Sequence, residues 1–496
     1  MLTAVLGMMA SIGTLGQRPN IVLIFSDDHA RRAISAYGSK VNRTPNIDRL
    51  ARNGALFERH YTSNPICAPS RATLLTGKYS HLNGHKDNAS AFDGKQSNVA
   101  KLLQASGYET AWIGKWHLVS EPTGFDHWEI LRGQGEYYDP TILSASGTSK
   151  ATGYTTEVST EKALGFLRKQ HDKPFFMVVG HKAPHRPWIP GPKSLEMFKN
   201  TVFPEPKTLR TDYATLASGA KTVGMGVGSN LNPTSDLYVG RAPATSVTSY
   251  LDLWRKTYSR EDAEYTESLK KGDLVGANYQ RYMRQYLRCV QDVDTSVGQL
   301  MDALKEAKLD KNTIVIYASD QGFFLGEKGW FDKRWYYEPS AGTPLVISAP
   351  GVKARRINSL SENVDIAPTL LDFAKCAPDP WMQGSSLVPT MLSGKGEKEF
   401  AYGHFYENND GEHKVPKYVS IVGERYKLIC YYELQEFELF DLKADPEESK
   451  NLWVGMPTPA ELKTRMYQSL MSKMRQVREE VEVIQKVREC ATVVHR

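Results

Sequence analysis

Cysteine is scarce in this 496-residue chain, with five residues at positions 67, 289, 376, 430 and 490. No Cys-x-x-Cys pair occurs, which argues against zinc ligation. Their wide spacing leaves room for one or two disulfides among Cys289, Cys376, Cys430 and Cys490, with no pairing assigned. A dominant charge is also lacking. Sixty-two Lys and Arg against 56 Asp and Glu leave +6, too little to point to a nucleic-acid partner, though a locally basic cleft for an anionic substrate remains compatible. There is no internal repeat, and no apolar run is long enough to cross a bilayer, so no integral membrane span is expected. The start, Leu2 to Gly16, is apolar and rich in small residues but has no basic leader. Residues 1–18 are read as a signal-peptide remnant, which predicts a secreted or periplasmic protein.

What is present is a regular alternation. Asn20–Ser26 is a continuous apolar, β-branched run, as expected of a strand buried on both faces. Similar runs start at Ala55, Thr110, Phe175 and Thr313, with helical patterns between them at 44–54 and 99–106. The alternation predicts an α/β fold with a large, mainly parallel sheet flanked by helices. Polar residues follow the strands: Asp27-Asp28, Lys115-Trp116-His117, His181 and Asp320-Gln321. In open α/β sheets that edge is where ligands bind. Residues 207–276 lose the apolar pattern and read as an irregular insertion over the cleft. Tyr279–Ala307 reads as a long amphipathic helix with Tyr282, Tyr286, Val290, Val293, Val297, Leu300 and Leu304 on one stripe. The texture changes near residue 384, so 19–383 is expected to be the main domain. Residues 384–496 form a smaller α+β domain with three short antiparallel strands and one charged helix over 459–488.

One stretch has a specific chemistry. Cys67-Ala-Pro-Ser-Arg71, running on to Leu74-Leu-Thr-Gly77, resembles the signature of the formylglycine-dependent (type I) sulfatases of the alkaline-phosphatase-like superfamily. The resemblance implies that Cys67 is oxidised after synthesis to an aldehyde by a formylglycine-generating enzyme. A serine attacking a sulfate ester would stall as a stable serine sulfate. A hydrated aldehyde has a second hydroxyl, and its deprotonation expels sulfate. Pro69 and Ser70 suit a turn into a helix, which places Cys67 at a helix N-terminus, where an anion is favoured.

Three carboxylates at strand ends, Asp27, Asp28 and Asp320, would repel without a cation among them. All-oxygen ligation points to Ca²⁺ before Mg²⁺. The resemblance implies Asp27, Asp28, Asp320 and Gln321 as calcium ligands, with residue 67 bridging. It also implies Arg71, Lys115, His117, His185 and Lys333 as the catalytic set. Arg71 lies one turn beyond Cys67. Lys115 and Lys333 suit sulfate oxygens. His117 suits the base and His185 the acid, with His181 as rival acid. Two departures stand out: glutamine at 321, where many relatives have Asn or His, and the absence of an arginine before Thr343-Pro344. His181–Trp188 and Gly124–Pro140 are similar to segments of carbohydrate sulfatases, including N-acetylglucosamine-6-sulfatases, so a sulfated carbohydrate substrate is expected. Trp128, Arg132, Tyr137, His181 and Trp188 are its candidate contacts. The alternatives are an arylsulfatase, a phosphonate or phosphodiester hydrolase, or a non-catalytic glycan-binding relative in which Cys67 stays a thiol.

Overall fold

A computed structural model describes residues 18–407, 413–454 and 458–494. The apolar start assigned to a signal-peptide remnant lies almost wholly outside them. Ten strands build the main sheet: β1 (Asn20–Ser26), β2 (Ala55–Tyr61), β3 (Glu109–Gly114), β4 (His127–Leu131), β5 (Thr141–Ser144), β6 (Gly147–Lys150), β7 (Phe175–Gly180), β8 (Thr313–Ser319), β9 (Leu345–Ser348) and β10 (Arg355–Glu362). Their order is β10-β2-β9-β8-β1-β7-β3-β4-β5-β6. The central strands β8, β1, β7 and β3 are all parallel neighbours. Antiparallel partners enter at β9 and at the β4–β5–β6 end.

The apolar runs are continuous because both faces are covered. Along β1, Val22 and Ile24 enter one core while Ile21, Leu23 and Phe25 enter the other. The first core is filled largely by the long helix. The helices that matter are α1 (Pro45–Arg52), α2 (Cys67–Thr76), α3 (Val99–Ala105), α4 (Thr155–Leu167), α5 (Thr248–Lys270), α6 (Leu274–Glu306), α7 (Ile366–Phe373), α8 (Ala460–Gln476) and α9 (Val481–Val494). The stripe from Tyr282 to Leu304 on α6 is buried as its spacing demands. The smaller domain holds β11 (Ala401–Phe405), β12 (Tyr418–Val422), β13 (Tyr426–Tyr431) and β14 (Glu436–Asp441) in one antiparallel sheet, with α8 packed against it.

Several expectations need correction. The 207–276 insertion is not irregular throughout, because α5 occupies 248–270 and α6 begins at Leu274. Tyr250, Trp254, Tyr258 and Tyr265 bury one face of α5, and the interruption at Glu261 is answered by Arg288 at 2.7 Å and Arg281 at 3.3 Å. The helix expected over 459–488 is two helices. Between them Arg478 has φ +58°, and Glu479 turns inward to His404 (2.9 Å) and Tyr402 (2.6 Å). The small sheet has four strands rather than three, β11 having escaped notice. All five cysteines are unpaired, so neither of the disulfides for which the spacing left room is formed.

Candidate active site

The parallel strands β1, β8, β7 and β3 end at one edge of the sheet, and their following residues converge there. Asp27 and Asp28 leave β1, Asp320 leaves β8, and single oxygens of the three carboxylates lie within 4.8 Å of one another. All three are fully buried. Asp28 adopts the left-handed conformation at φ +63°, which a non-glycine residue keeps only when its surroundings fix it. Three contacts do so. Asp28 N–H donates to Asp320 Oδ1 (3.1 Å), and the hydroxyl of Tyr286 on α6 donates to Asp28 O (2.7 Å) while accepting from Ala30 N (2.8 Å).

Cys67 is the first residue of α2, as its Pro-Ser context predicts. Its thiol donates to Asp27 Oδ1 at 3.3 Å. Burial pushes that thiol up to about 12, so residue 67 as cysteine is a poor nucleophile at neutral pH. One turn on, Arg71 donates from Nε and Nη2 to Asp320 Oδ2 (3.2 and 3.0 Å) and from Nη1 to Lys115 O (2.9 Å). Lys115 leaves β3 after Gly114, where an added Cβ would stand 2.0 Å from Gly180 O, so the two strand ends approach as only glycine permits. Its ammonium contacts Asp27 and the side-chain carbonyl of Gln134. Lys333 reaches Asp28 at 2.7 Å. Burial works against its charge, but Asp28, residue 67 and Asp332 together outweigh that and hold it raised.

The two histidines differ. His185 bonds through Nδ1 to Arg186 O at 2.6 Å, which places a proton on Nδ1, and its Nε2 faces Asp28 at 3.7 Å. Tyr137 donates to His185 O at 2.6 Å. His117 has φ +56° and a buried Nδ1 without a partner. Burial first, and then the surrounding ammonium groups, hold both imidazoles well below their ordinary range.

Gln321 donates from Nε2 to Asp28 Oδ1 at 2.6 Å, yet its buried Oε1 has no partner. Turning that amide over would aim Oε1 at the carboxylates, which is tolerable only with a cation between them. Three clustered carboxylates and one orphaned amide oxygen are a donor set that fits a hard divalent ion.

A cavity of about 310 Å³ opens onto this cluster, lined among others by Gln134, His185, Lys333, Asp332, Arg334 and His413. Asp332 is held by Arg334 (2.7 Å), Arg186 (3.1 Å) and His413 (3.4 Å). These residues were missed by sequence reasoning. The Asp332-Lys-Arg334 run beside Lys333, and Arg186 beside His185, were the available signals. The carbohydrate contacts expected from sequence fare worse: none of Trp128, Arg132, Tyr137, His181 and Trp188 lines this cavity. Trp188 is fully buried against Tyr282 and Phe323. His181 is fully buried on Ser296, which also removes it as rival acid. A side chain with no free surface offers no face to a sugar. Tyr137 is buried too and acts on His185 instead. Trp128 is half-buried against the second core and Arg132 is exposed.

Arginine is missing before Thr343-Pro344, but a guanidinium is not. Arg31 Nη2 lies 1.9 Å from where a Cβ on Gly342 would stand. It pairs with Glu338 at 2.9 Å, so the group is delivered from the turn after β1 and glycine at 342 makes room for it.

Among known proteins, the family described as Sulfatase matches residues 19–376, and that described as N-sulphoglucosamine sulphohydrolase, C-terminal, matches 326–478. An N-acetylglucosamine-6-O-sulfatase of Bacteroides thetaiotaomicron is 42% identical over 490 residues, covering 93% of this chain and 87% of that protein. A choline-sulfatase of Rhizobium meliloti is 26% identical, covering 88% and 82%. A structure solved in complex with its substrate D-glucosamine-2-N,6-O-disulfate superposes with a TM-score of 0.89 at 40% identity, covering 93% of this chain and 98% of that one. The phosphonate monoester hydrolase of Agrobacterium radiobacter shares the fold alone, at TM-score 0.69 and 21% identity. With its buried cysteine, three carboxylates and two lysines at one sheet edge, the chain belongs to the sulfatase family and is a sulfatase enzyme.

Proposed function

We propose that the protein removes an O-sulfate group from a sulfated carbohydrate, 6-O-sulfated N-acetylglucosamine or a similar glycan, with residue 67 as formylglycine. The observation that carries this is Cys67 itself. It opens α2 beside Asp27, with a thiol too buried to ionise. Hydrated formylglycine at this position would supply a hydroxyl for attack and a second one for release of sulfate. Ca²⁺ bound by Asp27, Asp28, Asp320 and Gln321 would supply Lewis-acid polarisation of the sulfate and favour the ionised nucleophile.

The chain's own residues do the rest. Lys115 and Lys333 bind sulfate oxygens and offset the charge that builds during transfer. Arg71 fixes Asp320 by two hydrogen bonds to one oxygen and so holds the carboxylate cluster in place. His185, with Nδ1 committed to Arg186 O, donates its proton to the leaving alcohol from Nε2. An arriving anion offsets the ammonium charges that, after burial, keep His185 unprotonated. His117, neutral with a free Nδ1, accepts the proton in the release step. Arg334, which lines the cavity, presents several donors to sugar hydroxyls, and Asp332 holds it in place. The 42% identical relative named for N-acetylglucosamine-6-O-sulfate supports that substrate class. Residues 19–383 form the catalytic domain and 384–496 the C-terminal one. The signal-like start supports secretion or a periplasmic location, and maturation needs a formylglycine-generating enzyme.

The test has two arms. Peptide mass at residue 67 should show the aldehyde, lighter than the thiol. Parallel assays should show turnover of 6-O-sulfated N-acetylglucosamine well above that of aryl sulfates, choline sulfate and phosphodiesters. Preference for any of the latter would overturn the carbohydrate reading.

A further inference from the structure

Lys182 stands outside the set that the sequence singles out. It follows His181 at the end of β7 and is only 5% exposed. Lys115 and Lys333 each rest on an aspartate. Lys182 has no carboxylate within ion-pair distance among the described residues. It donates one hydrogen bond, to Gln134 O at 3.3 Å, and its ammonium lies 5.0 Å from the centre of the Tyr137 ring. An ammonium has three donors, and this one uses a single donor and a ring face. Keeping an unpaired charge out of water is costly, which is why lysine is usually expelled from interiors.

Its surroundings show where the remaining donors find use. Gln134 is shared: its side-chain carbonyl takes Lys115 and its backbone carbonyl takes Lys182. The charge of Lys182 lowers the pKa of Lys115, His117 and His185 alike, so all four occupy one electrostatic site. Burial brings Lys182 itself down to about 8, with Asp28 and residue 67 acting the other way. It is therefore mostly charged at neutral pH.

We propose that Lys182 is a third ammonium for the sulfate group that reacts at residue 67, alongside Lys115 and Lys333. It rests on the sulfatase reading only for the identity of the anion. The division of labour follows from the pairing. Two lysines answer the carboxylates as well as the substrate, while Lys182 has no anion but the one that arrives.

The test uses the full-length, matured enzyme and inorganic sulfate as probe. In Lys182→Met the dissociation constant for sulfate, by isothermal titration, should rise roughly ten-fold or more, and kcat/KM for the sulfate ester should fall about 10²-fold, the usual effect of losing one donor to developing charge. Lys182→Arg should recover most of both. Calcium content and aldehyde at residue 67 should match the parent, which a merely structural role would not couple to sulfate affinity. Should Lys182→Met fail to fold, Lys182→Gln replaces it. Sulfate affinity and kcat/KM within two-fold of the parent in a folded variant would overturn the proposal. Lys182-dependent sulfate binding without ester hydrolysis would uphold this site while sinking the substrate reading above.

Discussion

Two clusters of buried charge invite comparison. One surrounds Cys67. The other joins the two domains, where Lys427, fully buried, sits between Glu448 (2.6 Å) and Glu338 (3.0 Å). There Lys328 donates to Glu448 O (2.6 Å), and Tyr337 and Tyr431 donate to Glu438 (2.7 and 2.9 Å). Each cation in that seam has a fixed protein acceptor. At Cys67 three carboxylates crowd one point, and among the described residues Gln321 Oε1 and His117 Nδ1 have no partner and Lys182 has no carboxylate within ion-pair distance. Both clusters are buried and charged. The difference is closure: the seam is complete without a ligand, and the sheet edge is complete only with one.

Substitutions should separate the two. The largest effect is expected for Cys67→Ala, with turnover lost by at least about 10⁴-fold and an unchanged melting temperature. Cys67→Ser turning over as fast as the parent would refute the aldehyde. Asp320→Ala should lose bound calcium by elemental analysis and reduce activity by more than about 10³-fold; an unchanged metal content would remove Asp320 from the ligand set. Lys427→Met should do the reverse. It leaves two carboxylates short of a partner and should destabilise the fold by about 3–5 kcal/mol. The kcat of the folded fraction should stay within about two-fold of the parent. A large kcat defect there would mean that the seam is coupled to the chemistry and the contrast is false.

Much of the sheet edge was legible because strands buried on both faces write continuous apolar runs, and Asp27, Lys115, His181 and Asp320 fall where those runs stop. Cys67 was legible because its turn residues and its chemistry share one short segment. What stayed hidden depends on pairing across long separations. The aromatic face of α5 is broken in sequence by Glu261, which only Arg281 and Arg288 on α6 make tolerable. The break before α9 has no Pro or Gly; it exists because His404 and Tyr402 draw Glu479 inward. Trp188 resembles a sugar platform in sequence, but the space beside it is filled by Tyr282 and Phe323. Lys182 was hidden for the opposite reason: a lysine in a loop reads as solvated until its burial is known.

A smaller effect sharpens the contrast within the site. Tyr286 lies between the regions that bind and those that only pack. Its ring stacks on Phe323 and its hydroxyl pins the left-handed Asp28. Tyr286→Phe should keep the packing and release the turn. Calcium affinity by titration is expected to weaken roughly three- to thirty-fold, about the worth of one or two hydrogen bonds. Activity should return at high calcium. An unchanged titration would show that Asp28 holds its conformation without help.

The smallest effect concerns a partly exposed carboxylate with no cation within ion-pair distance among the described residues. Asp292 on α6 accepts from Gly191 N (2.7 Å), Ser194 Oγ (2.9 Å) and Tyr154 OH (3.0 Å), all on one oxygen. Burial outweighs these bonds and raises it from an ordinary 3.8 to about 7. A folded-state value above the unfolded one means that folding favours the protonated form. Its contribution is therefore complete below about pH 4 and is lost as pH rises through 7. Asp292→Asn mimics the protonated acid at every pH. The melting temperature of the variant minus that of the parent should climb by a few degrees between about pH 4 and pH 8. A flat difference would mean that the three donors, not burial, govern Asp292. Uncompensated burial would then also fail as the criterion that sets the Cys67 cluster apart from the seam.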